Sequence, residues 1–367
     1  MHRREFLTGM AATLAASATA AESAAESPAD KPIPIGLNTY CLRALKWHDL
    51  PLIDYTASLK LDGIFLQDSL DPDVMVPAHW TKVRDYARDH GLQRLETGGG
   101  TILPKTPDGF DASVKTLARN IVRAKGLGSP IVRCLLAGER ATMPRLPLAQ
   151  NLEMAVRVLR AVRTQAMEAG IKLAIENHKD IQAFETRQVI ETAGKEFVGS
   201  YLDTGNPVFV LEDPMTTVEE LGPYAVCVHL RDSVIYEHPR GVAVQWVPLG
   251  EGVIDFKKIV AKVREICPPV YIYIKPITGR PPAVLPYLEE SFWGPNVTER
   301  GRDLARFLGL AKKGRPYELP MVIEDIPSRK TPEAFVGAIQ YQQREHMERS
   351  VEYGKKVLGL GIRWRAS

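Results

Sequence analysis

The chain reads I-K-L-A-I-E-N-H over 171–178, V-G-S-Y-L-D-T-G-N-P over 198–207 and A-V-C-V-H-L-R-D over 225–232. These are three short β-rich runs, spaced by about one strand plus one helix. Each ends in a side chain that can hold a metal: Glu176, Asp203 and His229. A fourth run, Y-I-Y-I-K, ends in Lys275. Oxygen and nitrogen donors gathered at one end of a parallel barrel make a divalent metal site, whereas an ammonium cannot coordinate a metal until it loses its proton.

Outward from this stretch the same kind of run recurs. Strands are predicted at 33–40, 63–67, 92–97, 130–137, 171–177, 198–203, 225–231 and 270–275. Between them lie helical periodicities such as Leu117-Ile121-Val122-Ala124-Leu127, Leu152-Val156-Leu159-Val162-Ala166 and Phe256-Ile259-Val260-Val263-Ile266. Alternating strands and helices specify a parallel α/β fold. Eight units over about 250 residues favour a closed (β/α)8 TIM barrel over an open sheet, and no G-x-G-x-x-G follows the first strand.

Residues 33–312 are assigned to the barrel and 313–367 to a C-terminal extension. Within this region 298–310 is read as an eighth helix, 314–331 as an irregular connection and 332–358 as a last helix. That helix is read as a brace on the barrel, with a homo-oligomer contact or a lid over the mouth as alternatives. At the other end, Arg3-Arg4-Glu5-Phe6-Leu7 precedes an Ala-rich stretch and an A-x-A-like site, Ala18-Thr19-Ala20. Residues 1–20 therefore resemble a twin-arginine export signal, 21–32 a linker, and the expected location is the periplasm or beyond.

The formal charge of +3 spread over 367 residues gives no basic stripe for nucleic acid, and no apolar run after the signal is long enough to span a membrane. Cys41, Cys134, Cys227 and Cys267 sit in or beside apolar segments without C-x-x-C spacing, so they are read as free core thiols.

In a barrel of this kind chemistry collects at the C-terminal ends of the strands. The residues there are Asn38, Gln67, Glu96, Arg133, Glu176 with His178, Asp203, His229 with Arg231, and Lys275. Side chains two apart share a face, so both pairs can point into the mouth. Singly each has a plain structural explanation, Asp203 as a helix cap or His229 as a core histidine. Jointly they point to a metal or former metal site binding a small polar ligand such as a sugar.

The set I-E-N-H, L-D-T-G-N-P and V-H-L-R-D, followed by P-L-G-E-G-V-I-D-F over 248–256, resembles the xylose isomerase-like TIM barrel superfamily of sugar isomerases and epimerases over about residues 33–280. The resemblance implies a divalent metal (manganese, magnesium, cobalt or zinc) on residues matching Glu176, Asp203 and His229, with Glu176 also as the base. His178, Arg231, Asn38 and Glu96 are then expected to bind a small carbohydrate. The family's glutamate at the end of the eighth strand is replaced by Lys275. Either the metal stays on three ligands with Lys275 as a proton donor or acceptor, or Lys275 replaces the metal, or another carboxylate such as Glu289 or Glu290 completes the site. A metal-dependent isomerase or epimerase leads this reading. A lyase acting on an oxidised sugar and a non-catalytic carbohydrate-binding protein are the alternatives.

Overall fold

The computed structural model describes residues 32–67, 76–106, 108–293, 300–324 and 331–366. The expected export signal and nearly all of the linker lie outside the described residues. Seven strands come first: β1 (Ile35–Asn38), β2 (Gly63–Gln67), β3 (Arg94–Thr101), β4 (Ile131–Leu135), β5 (Lys172–Glu176), β6 (Val198–Asp203) and β7 (Ala225–Leu230). A hairpin follows, β8 (Asp232–His238) and β9 (Gly241–Val247), then β10 (Ile272–Ile274) and β11 (Ala283–Leu285). Strands β1 to β7 and β10 pair in parallel, and β10 returns to β1, closing an eight-stranded barrel. This is the fold the sequence predicts. The antiparallel sheet β11-β9-β8 was not expected.

Helices alternate with the barrel strands. After a 3₁₀ segment, Thr39–Leu45, come α1 (Asp49–Ser58), α2 (Pro77–Asp89), α3 (Phe110–Leu127), α4 (Leu148–Ala161), α5 (Arg163–Ala169), α6 (Ala183–Ala193), α7 (Pro214–Leu221), α8 (Phe256–Ile266), α9 (Gly301–Ala311) and α10 (Val336–Lys356). The predicted helix at 256–266 has the observed bounds. The Asp255 carboxylate caps it from Lys258 N–H at 3.1 Å, and Phe256, Ile259, Val260 and Val263 form the buried stripe. Among the described residues no helix is long and apolar enough to cross a membrane. Cys41, Cys134 and Cys227 are buried free thiols and Cys267 a half-buried one.

The last two helices pack on different parts of the fold. α9 packs on the small sheet, where Phe307 and Ala311 join Val208, Leu211, Ile235, Val242, Val244 and Leu285. α10 instead packs on the barrel wall: Met347 and Val351 join the main core, and a Cβ added at Gly354 would stand 3.0 Å from Ile35 and 3.3 Å from Ile274. So α10 covers the seam between β1 and β10, the eighth helix's position. The chain beyond it is fastened to the start of the barrel. One carboxylate, Asp62, accepts N–H bonds from Ile35, Ile362 and Arg363 at 2.8–3.0 Å.

Two-residue alternation sorts the inward side chains along each strand into a set at the strand ends and a set two residues earlier. Asn38, Gln67, Gly98, Arg133, Glu176, Asp203, His229 and Lys275 fall at the last inward positions. One layer below come Gly36, Phe65, Glu96, Ile131, Ala174, Tyr201, Cys227 and Tyr273. Glycines make room for large neighbours: a Cβ at Gly36 would meet the Tyr273 ring at 2.6 Å, and one at Gly98 would meet Arg133 at 2.4 Å.

Candidate active site

Lys275 stands at the centre of the upper layer. Its Nζ donates to Glu176 Oε1 at 3.0 Å, to Asp203 Oδ2 at 3.1 Å and to the Tyr201 hydroxyl at 3.4 Å, and the side chain is 2% exposed. Around it the carboxylates are fully engaged. Glu176 Oε2 takes the Arg133 guanidinium in a short ion pair, and Oε1 also accepts from Asn206 Nδ2 at 3.0 Å. Asp203 Oδ2 also accepts from Arg231 Nη2 at 2.8 Å, and Oδ1 from Gly205 N–H at 2.8 Å. Gly205 is required here. The Arg231 side chain lies across it, and a Cβ would meet Arg231 Cδ at 2.4 Å.

The expected ligands are thus brought near one another but not into a metal site. His229 Nδ1 pairs with the Tyr201 hydroxyl at 2.7 Å instead of facing the carboxylates. That hydroxyl oxygen already accepts from Asn38 Nδ2 at 3.2 Å and from Lys275, so its own hydrogen goes to Nδ1. Burial, then Lys275, pushes His229 well below its ordinary pKa. The neutral ring therefore carries its proton on Nε2, which has no partner among the described residues. Nor, among them, do any three His, Cys, Asp or Glu side chains stand where they could share a metal ion.

A dication does not fit this donor set. Each carboxylate oxygen is already paired, and the ammonium occupies the point between Glu176 and Asp203 that a metal would need. A dication about 3 Å from a held ammonium is repelled by on the order of 10 kcal/mol at an effective dielectric near 20. Glu176 and Asp203 stand at one end of the barrel with the Lys275 ammonium between them, and His229 lies beside them on Tyr201. Glu289 does not complete the site, because it pairs with Arg240 at the surface.

Other expected roles shift too. Burial pushes the Glu176 carboxyl up, but Arg133, then Lys275, His178 and Arg231, outweigh it and hold it well below the usual range. A carboxylate held that low is a weak base. His178 stands two residues further along the chain. Its Nδ1 donates to the Gly138 carbonyl, leaving the Nε2 lone pair open, and burial lowers its pKa against the pull of Glu176 and Asp180. Asn38 is buried with both amide hydrogens engaged, on Gln67 and Tyr201, and its oxygen accepts from Tyr40 N–H. It positions Tyr201 and leaves no hydrogen to donate to substrate.

Glu96 lies one layer below the mouth, 1% exposed, with Arg94 at 3.8 Å. Burial pushes it up to about 8. Arg133, Tyr201 and Asn206 complete the site without having been given roles in it. Arg133 was visible as a strand-end residue, and Asn206 as the last residue of the D-T-G-N turn.

A family model for the xylose isomerase-like TIM barrel matches residues 53–271. An uncharacterised Escherichia coli K12 protein, YihM, is 24% identical over 98 residues, a match spanning 27% of this chain and 30% of that protein. Among solved structures, D-psicose 3-epimerase in the presence of D-fructose superposes with a TM-score of 0.57 at 17% identity, covering 89% of this chain and 100% of that one. A xylose isomerase-like TIM barrel protein from Mycobacterium smegmatis in complex with magnesium gives a TM-score of 0.51 at 15% identity, over 78% and 98% of the two chains. With the closed barrel and a family match over more than half its length, the chain belongs to the xylose isomerase-like TIM barrel family.

Proposed function

We propose that the protein is a carbohydrate isomerase or epimerase that moves a proton beside a sugar carbonyl, with the Lys275 ammonium supplying the positive charge expected of a metal. The observation that carries this reading is Lys275 Nζ within 3.1 Å of both Glu176 and Asp203 at the C-terminal end of the barrel. Taking a proton from carbon leaves negative charge on the neighbouring oxygen. The field of the Lys275 ammonium, whose three hydrogens are held by Glu176, Asp203 and Tyr201, stabilises that oxygen, Arg231 Nε donates to it, and the His178 Nε2 lone pair accepts the proton. The relatives named for sugar epimerisation support a carbohydrate substrate.

The test is to incubate chelator-treated enzyme with ketoses in D2O and follow deuterium at carbon by NMR. Incorporation should survive the chelator and fall about 10²–10³-fold in Lys275→Met. Activity that needs added metal and survives the Lys275 substitution would refute the role given to the ammonium.

One observation favours a second reading, elimination. A two-sided epimerase needs an acid and a base on opposite faces of the carbon, whereas these residues supply one open lone pair, His178 Nε2, and otherwise donors. One base and one acid suffice to expel a β-leaving group, with Lys275 protonating the departing oxygen. The same experiment separates the two: epimerisation keeps the substrate mass plus one deuterium, and elimination releases two products. Export through the twin-arginine route belongs to the same proposal. Arg3→Lys with Arg4→Lys should keep a fused reporter in the cytoplasm.

A further inference from the structure

Two connections at the mouth, after β4 and after β5, are laced together beside His178. Glu139 and Lys179 form an isolated parallel bridge, and Arg140 N–H donates to the Lys179 carbonyl at 3.0 Å. Asp180, fully buried, fixes the turn after β4. Its Oδ2 accepts the N–H groups of Ala137 and Gly138, both at 2.9 Å, and its Oδ1 accepts that of Ile181 at 3.0 Å. Gly138 has a φ of 96°, in the left-handed region where any larger residue is strained.

A buried carboxylate costs solvation free energy, which charge-assisted N–H bonds offset. That much would staple any loop. Here the stapled turn also aims one atom: with the Ala137 and Gly138 N–H groups held by Asp180, the Gly138 carbonyl accepts from His178 Nδ1. A carbonyl oxygen only accepts, so Nδ1 must carry a hydrogen. A neutral ring with its proton there has its lone pair on Nε2, whereas an unheld imidazole can place that proton on either nitrogen.

We propose that Asp180 is a positioning residue: through the Gly138 carbonyl it keeps the His178 proton on Nδ1 and the Nε2 lone pair free to take a proton from substrate. This rests on the reading of His178 as the base and adds what holds that base in one tautomer.

Long-range proton–nitrogen NMR of the full chain at about pH 8, where a histidine ring carries one proton, reads the tautomer. The His178 signal is identified by its loss in His178→Gln. Wild type should show the proton on Nδ1. In Asp180→Ala that preference should fade, and deuterium incorporation into a ketose should fall about tenfold or more in kcat with KM little changed. Asp180→Asn, which keeps an oxygen to accept from the same turn, should retain the tautomer and most of the turnover. If Asp180→Ala does not fold, Gly138→Ala strains the same turn and takes its place. A wild-type proton on Nε2 overturns the proposal, as does a folded Asp180→Ala with the wild-type tautomer or with undiminished turnover. Because the tautomer is read without substrate, a proton on Nδ1 that Asp180→Ala loses, in a protein that exchanges no deuterium, sinks only the catalytic reading. Exchange in a wild type whose proton is on Nε2 sinks only this one.

Discussion

Two neighbouring layers of one barrel interior are built on opposite principles. The upper layer holds Arg133, Glu176, Asp203, His229 and Lys275, tied by ion pairs and hydrogen bonds. The layer two residues below is apolar and aromatic. Phe65 meets Tyr201 at 5.3 Å, His229 at 5.0 Å and Tyr273 at 5.7 Å, all edge-on, and His229 stacks between Tyr201 and Tyr273. The lower layer fixes ring positions by packing, and the upper layer inherits them through the Tyr201 hydroxyl. A buried charge cluster is sensitive to small displacements, so a stiff aromatic floor is what keeps it in one geometry.

Breaking the upper layer should have the largest effect. Lys275→Met leaves Glu176 and Asp203 without their shared ammonium, and besides the loss of turnover it should destabilise by about 3–5 kcal/mol, as removing one partner of a buried ion pair does. Chemical denaturation measures this, and a loss below about 1 kcal/mol would mean the cluster contributes little to stability.

The lower layer has one odd member, Glu96. Its folded pKa of about 8 lies above that of an unfolded glutamate, so the folded state holds its proton more tightly than the unfolded chain does. The stabilisation this gives is complete below about pH 4.5 and is lost as pH rises through about 8. Glu96→Gln should therefore be more stable than wild type at pH 8.5, by about 4–5 kcal/mol, with the gap closing toward pH 5. A gap that does not change with pH would place Glu96 in a more polar setting than this.

Smaller effects follow at the joints. Gly205→Ala drives a methyl into Arg231 and should cost about 1–3 kcal/mol, measured by chemical denaturation. Tyr201→Phe keeps the ring but removes the hydroxyl linking the layers. A loss of about 1 kcal/mol with a clear fall in turnover would support that link, and unchanged turnover would show the layers to be independent.

Much of this was legible in the chain. Seven of the eight strand ends carry the polar residue predicted for them, because strand periodicity and turn residues locate those ends without knowledge of pairing. Glu96 is the exception. The run of Gly98-Gly99-Gly100 reads as a turn, yet β3 continues through it to Thr101 with positive φ at Gly99 and Gly100, which puts Gly98 in the upper layer and Glu96 below. The β8–β9 hairpin was missed because only Arg231 separates β8 from β7, so no turn residue announces a new strand there. The surroundings of the expected metal ligands were not legible, for a deeper reason. Donor types can be read from sequence, but their partners depend on register and side-chain reach, and here Arg133, Arg231 and Lys275 occupy the lone pairs that a metal would have used.

Trp246 gives the mouth a further property. It is one of five tryptophans in the chain, and three cations, Arg231, Lys179 and Arg280, set the electric field across its ring. Displacing any of the three changes that field, so the indole emission of the unlabelled protein reports on their positions in real time.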